Sequence, residues 1–137
     1  MGIFLGYLSL TLCIIGCILM LFSFIIYAIN RKKYYNLLEL YRNSHLDFPM
    51  PYSFQSMMGF FGAYPVSQFF LKLKKQSKIY FLDKNSNAYD FFKKYHYDDL
   101  KWLSRFCLLW KTAMFLVATP CFFALLITCK DFLRVNA

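Results

Sequence analysis

The sequence predicts an all-α membrane protein, a two-span helical hairpin with a basic, partly helical cytoplasmic middle section. Three observations predict it. Ile3 to Ile29 is a run of 27 residues without a charge. Thr112 to Cys129 is a second such run, of 18 residues. Between them lies most of the positive charge of the chain. A bilayer core needs about 20 helical residues. In lipid the backbone must satisfy its own hydrogen bonds, so both runs should be helical despite their many Ile and Phe residues. The expected division is residues 1–30 for the first transmembrane helix and 31–105 for the middle. Residues 106–130 then form the second transmembrane helix, and 131–137 a short tail.

Composition agrees. Apolar residues make up 59% and aromatics 22% of 137 residues, with 17 Phe and 11 Tyr. A chain this short buries a small fraction of its surface when it folds alone, so it has more apolar area than a globule would hide. The net charge is +9. On a membrane protein such a balance reflects anionic headgroups and retention on the cytoplasmic side. The alternative partner of a basic chain is nucleic acid, and no basic run here is dense enough to point there.

The first span stops sharply at Asn30-Arg31-Lys32-Lys33. A cleaved signal peptide would begin with basic residues and have a shorter apolar core, and no Lys or Arg precedes Arg31. Ile14-Ile15-Gly16-Cys17 matches a lipoprotein cleavage box, but the chain stays apolar for a dozen residues beyond it. Met1-Gly2 lacks the Ser or Thr at position 6 that a myristoylation start needs; Gly6 stands there.

Past the membrane the first helix should continue, since Tyr34, Leu37, Leu38 and Tyr41 recur at helical spacing with Lys33, Glu39 and Arg42 turned away. Asp47-Phe48-Pro49-Met50-Pro51 should stop it. Phe54 to Leu71 is apolar enough to raise the question of a third crossing. It holds Gly, Pro, Gln and Ser, however, and a crossing there would put Lys72 to Arg105 opposite Arg31 to Arg42. That breaks the rule that positive loops stay inside. The segment is therefore expected to be interfacial or re-entrant. Lys72, Lys74, Lys75 and Lys78 follow it and suit a headgroup layer.

Asp83-Lys84-Asn85-Ser86-Asn87 reads as a turn. Asn87 is placed to cap a helix with Asp90 near its positive end. That helix should carry Phe92, Tyr95, Trp102 and Phe106 on one side and run into the second span. Trp102, Trp110 and Lys111 mark the expected interface there. Pro120, in mid-span, predicts a kink.

Thirteen Lys or Arg lie between residues 30 and 105, none precede the first span, and Lys130 and Arg134 follow the second. The middle therefore belongs in the cytoplasm and both termini outside. Small residues let helices approach closely in lipid. Ser9, Cys13, Gly16 and Cys17 form such a stripe on the first span. It should face Ala113, Val117 and Cys121 of the second span, or else a second copy of the chain. Cys13, Cys17, Cys107, Cys121 and Cys129 have no zinc-finger spacing and read as small apolar packing residues.

Nothing in the sequence predicts catalysis. His45 and His96 have no metal-ligand partner at helical spacing, and the neighbours of His96, Asp98 and Asp99, make a poor site without a second histidine. No phosphate-binding glycine loop, Ser-His-Asp set or intramembrane carboxylate occurs. The chain is expected to be non-enzymatic, without cofactor or metal. Its expected partners are membrane lipids and either a membrane protein or its own copy.

Leu37-Leu38-Glu39-Leu40-Tyr41-Arg42 after the first span, Gly59-Phe60-Phe61, and the charged helix from Asp90 entering the second span resemble the universal stress protein B family. These are small bacterial membrane proteins with a span at each end and a basic cytoplasmic middle. The resemblance implies a stress-linked protein of the bacterial inner membrane and no catalytic residue; the middle is longer here. Thr119-Pro120 in the last span followed by Lys130-Asp131 is similar to immunity proteins against pore-forming colicins, which usually have three or four spans. Immunity against a membrane toxin is thus a second expected function, and a holin-like pore former a third.

Overall fold

The computed structural model describes residues 2–95 and 99–135, with side chains for Phe4 and for residues 6–95 and 99–125. His96 and Asp98 lie outside the described residues, as do the side chains of Cys129, Lys130, Asp131 and Arg134. The described elements are all helical. They are α1 (Gly2–Asn43), α2 (Tyr52–Gln55), α3 (Phe60–Lys74), a 3₁₀ turn (Asn87–Asp90), α4 (Phe91–Lys94) and α5 (Lys101–Val135). Helices α1 and α5, of 42 and 35 residues, are each long and apolar enough to cross a membrane.

The chain divides into two compact units, Met1–Ser23 with Leu109–Ala137, and Phe24–Leu108. In the first, α1 and α5 meet at Gly16. A methyl carbon on Gly16 would lie 2.6 Å from Val117 Cγ2 and 3.2 Å from the Ala113 carbonyl oxygen. Only hydrogen fits there, and the two backbones approach closely for that reason. Away from this seam the unit is greasy on its outside: Phe4, Leu10, Leu21, Phe115 and Leu125 are all exposed. At Pro120 the helix loses one donor. The preceding Thr119 donates its hydroxyl to the Phe115 carbonyl at 2.7 Å, a side-chain bond running alongside the interrupted ladder.

The second unit is a small bundle with an aromatic core. Tyr34, Leu37, Leu38 and Tyr41 of α1 are buried, while Lys33, Glu39 and Arg42 are exposed. Tyr41 is the hub. Its ring lies 4.5 Å from Phe48, 5.7 Å from Phe69, 5.6 Å from Phe70 and 5.2 Å from Phe91. The contacts with Phe69, Phe70 and Phe91 are edge-on, and such geometry adds to the area each ring buries. Helix α3 runs in the same direction as α1, since Phe60 meets Phe24 and Tyr27 while Phe69 and Phe70 meet Tyr41. The start of α5 runs the other way: Asp99, just before it, pairs with Lys33, and Phe106 lies 6.0 Å from Tyr27.

Three local expectations change. Helix α1 stops at Asn43, ahead of Asp47, where Ser44 donates its hydroxyl to the Leu40 carbonyl at 2.7 Å and His45 takes φ of 56°. Ser86, not Asn87, is the cap before Asn87–Asp90; its hydroxyl accepts from the Ala88 N–H at 3.3 Å. Serine is the shorter acceptor and sits one residue earlier, outside the turn, where a cap belongs. The helix expected from Asp90 into the second span is broken. Tyr95 is extended (φ −111°, ψ 107°) and ends α4, and α5 restarts at Lys101. Phe91 packs on Tyr41, and Leu100, Leu103 and Phe106 are buried in the same unit.

Candidate membrane-facing site

The segment 54–71 is not long enough as a helix to cross a bilayer. Helix α3 has 15 residues, about 22 Å at 1.5 Å per residue, against a hydrocarbon core of about 30 Å. Before it, α2 turns back through an elbow at residues 56–59. Gly59 takes φ 61° and ψ −130°, a conformation that side chains disfavour. Gly62 lets α3 lie on the end of α2: a methyl carbon there would sit 1.8 Å from the Gln55 carbonyl oxygen.

Several polar groups of the elbow bond within it, although the buried Gln55 Oε1 finds no partner among the described residues. The N–H groups of Ser56, Met57 and Met58 donate to the carbonyls of Tyr52, Phe54 and Gln55 at 2.9, 3.1 and 3.1 Å, and Ala63 donates to Gly59 at 2.9 Å. Ser56 donates to the Ser53 carbonyl at 2.7 Å and accepts from Arg42 Nη2 at 3.1 Å. Helix α3 turns Ala63, Val66, Phe69, Phe70 and Leu73 inward. The elbow turns large apolar side chains outward: Phe54 is 65% exposed, Met57 74%, Met58 49% and Phe61 71%.

The elbow also has a defined level along α1. The Phe60 ring lies 5.1 Å from Phe24 and 5.5 Å from Tyr27, both inside the uncharged run that ends at Ile29. The lysine patch expected in the headgroup layer lies at the other end of α3. Lys72 and Lys74 are 12 and 14 residues from Phe60, about 18 and 21 Å along the helix. The end of α3 is closed by Gln76 at φ 52°, whose N–H donates to Leu73, while Ser77 N–H donates to Lys72, both at 3.0 Å. Lys75, the C-cap residue, and Lys78, beyond it, are exposed.

The other expected site residues are distributed as follows. Gly16 meets Ala113 and Val117 directly. Ser9 and Cys13 are half-buried, and Cys17 and Cys121 exposed. Trp102 and Trp110, expected as interfacial residues, are each only 8% exposed and face protein, whereas Lys111 is exposed. Pro120 is buried within unbroken α5.

Two open clefts flank the lysine end. One, of about 450 Å³, is lined by Lys78, Lys84, Ser86 and Lys93; the other, of about 380 Å³, by His45, Asn87 and Lys94. Asp90 reaches both, with its carboxylate 2.9 Å from Lys93 Nζ. Among the described residues no three His, Cys, Asp or Glu side chains are placed to hold a metal ion.

The core carries polar groups that its aromatic packing leaves unpaired. The hydroxyls of Tyr34 and Tyr41 are buried without a hydrogen-bond partner among the described residues. Burial raises both phenols above their ordinary value near 10, with neighbouring Tyr27 and Tyr35 adding to the effect at Tyr34 and Asp47 at Tyr41.

The exposed elbow itself has a sequence signal, the pair Met57-Met58 followed by Gly59-Phe60-Phe61-Gly62. Two glycines bracket two aromatics, a pattern of close approach on one side and exposure on the other. Comparison with protein-family models, curated proteins and solved structures finds no match.

Proposed function

We propose that this is a non-enzymatic integral membrane protein that crosses the bilayer twice and acts by binding lipid or a membrane-protein partner. Residues 31–105 are its working part, on the cytoplasmic side of a bacterial inner membrane. The observation that carries the reading is the long exposed apolar surface on both helices, from Phe4 to Ile29 on α1 and from Leu108 to Leu125 on α5. Exposed apolar area on this scale marks a membrane or partner surface. Arg31, Lys32, Arg105 and Lys111, all exposed, lie where headgroups would meet the two helices. The lysine end of α3 stands away from that edge and offers positive charge to the cytoplasm.

Lipid mass spectrometry on the chain purified from native membranes in mild detergent tests this reading. It predicts anionic phospholipid enriched over the bulk membrane, and less of it retained by Arg31→Ala/Lys32→Ala. Retained lipid of bulk composition, with no membrane protein captured by crosslinking in the native membrane, would count against it.

A further inference from the structure

We infer that the α2–α3 elbow is seated in the interfacial layer of the cytoplasmic leaflet, with Met57, Met58 and Phe61 among the upper acyl chains. The inference rests on the two-span reading and says where the working part touches lipid.

Depth along α1 decides where the elbow lies. Within the unit Phe24–Leu108 the level of each element can be read off α1. Ile29 ends the uncharged run, and Phe24 is five residues inside it, about 8 Å deeper at helical rise. Phe60 touches Phe24 and Tyr27, so the top of the elbow reaches the inner edge of the hydrocarbon. Its lower side is tied down by Arg42, whose guanidinium donates to Ser56 at 3.1 Å. Arg42 is 13 residues past Ile29, about 20 Å along α1. An elbow held between these contacts reaches the membrane edge without crossing it. Amphipathic segments that lie in the interface bury their apolar face by about 5–10 Å, which is the depth that Phe60 reaches.

The chemistry of the surface agrees. No charged residue occurs between Asp47 and Lys72. Met57, Met58 and Phe61 lie within three residues of Phe60, and all three are exposed. Phe24, Ile25 and Ile29 are exposed on the adjoining turn of α1, so the elbow extends the apolar end of that helix. The N–H groups of Ser56, Met57 and Met58 donate within the turn, which lowers the cost of placing that part of the bend next to hydrocarbon. In water this surface would be a liability; at the membrane edge it is removed from water.

The test uses the full chain in liposomes whose lipids carry bromine on their acyl chains, which quench nearby tryptophan. The emission of each added tryptophan is read as the difference from the parent chain. Met57→Trp and Phe61→Trp should add blue-shifted emission that is lost in brominated lipid. Tyr80→Trp, an equally exposed aromatic beyond the lysine end, should add emission that brominated lipid leaves intact. Phe115→Trp, on the exposed face of α5, reports the span itself. Quenching at residue 115 but not at 57 or 61 overturns the seat and leaves the two-span reading standing. Absence of quenching at all three overturns both. Quenching at residue 80 as well overturns the depth assigned to the elbow.

Discussion

Gly62→Ala adds one methyl group at a place where the chain has no room for it. The new carbon would lie 1.8 Å from the Gln55 carbonyl oxygen and 2.7 Å from its carbon. Both are backbone atoms, so no rotamer change relieves the contact. To restore even 3.0 Å, the end of α2 must retreat by about 1.2 Å. A gap of 0.5–1 Å already forfeits roughly a quarter to a half of a van der Waals contact. The retreat therefore loosens the Tyr52–Phe69 ring contact at 4.9 Å and the Arg42–Ser56 hydrogen bond at 3.1 Å. Overpacking in a core costs about 1–3 kcal/mol. A clash with backbone, together with a lost hydrogen bond of about 1 kcal/mol, puts the expected loss near 3 kcal/mol. At about 1.4 kcal/mol per tenfold, that is roughly a hundredfold in the folding equilibrium. Equilibrium unfolding in mixed micelles, followed by circular dichroism, measures it. Gly6→Ala, which has nothing within 4 Å of the new carbon, is the control. If Gly62→Ala unfolds within about 0.5 kcal/mol of the parent, the scale of an ordinary surface substitution, the tight elbow is refuted.

Other consequences follow from the same packing. Gly16→Leu should separate α1 from α5, lower stability, and reduce the yield of an intrachain Cys13–Cys121 disulfide under mild oxidation; an unchanged yield would remove Gly16 from the seam. Tyr41→Phe keeps the four ring contacts and deletes a buried hydroxyl without a partner. It should therefore stabilise the chain by about 1 kcal/mol, whereas Tyr41→Ala should cost about 3–5 kcal/mol. Because the folded protein holds the Tyr34 and Tyr41 phenols neutral to higher pH than the unfolded chain does, their contribution is fully present below pH 10 and is lost as pH rises beyond it. Unfolding titrations from pH 8 to 12 should show that decline, and Tyr34→Phe/Tyr41→Phe should flatten it.

How much of this was legible in the sequence depended on the kind of signal. Helices α1 and α5 were, because an uncharged run and a repeat of Tyr34, Leu37, Leu38 and Tyr41 are local patterns. Close packing at Gly16 was legible for the same reason, since a small residue at helical spacing marks a place where backbones can meet. For segment 54–71 the mixed composition and the charges around it were legible. Its true shape was not, because the elbow depends on Gly62 finding Gln55, a contact that no periodicity announces. Trp102 and Trp110 were read from residue type alone. Their residue type favours an interface, yet each side chain is only 8% exposed. The break at Tyr95 was hidden by aromatic spacing that continued in register from Phe92 to Phe106 while the backbone did not.

The central claim is that the two ends cross the membrane and the middle stays on one side. Reporters fused after residues 2, 52, 85 and 137, active on only one face of the membrane, test it most directly. The account predicts that residues 52 and 85 report from the cytoplasm while 2 and 137 report from the opposite face. Residues 52 and 85 on opposite faces would contradict it.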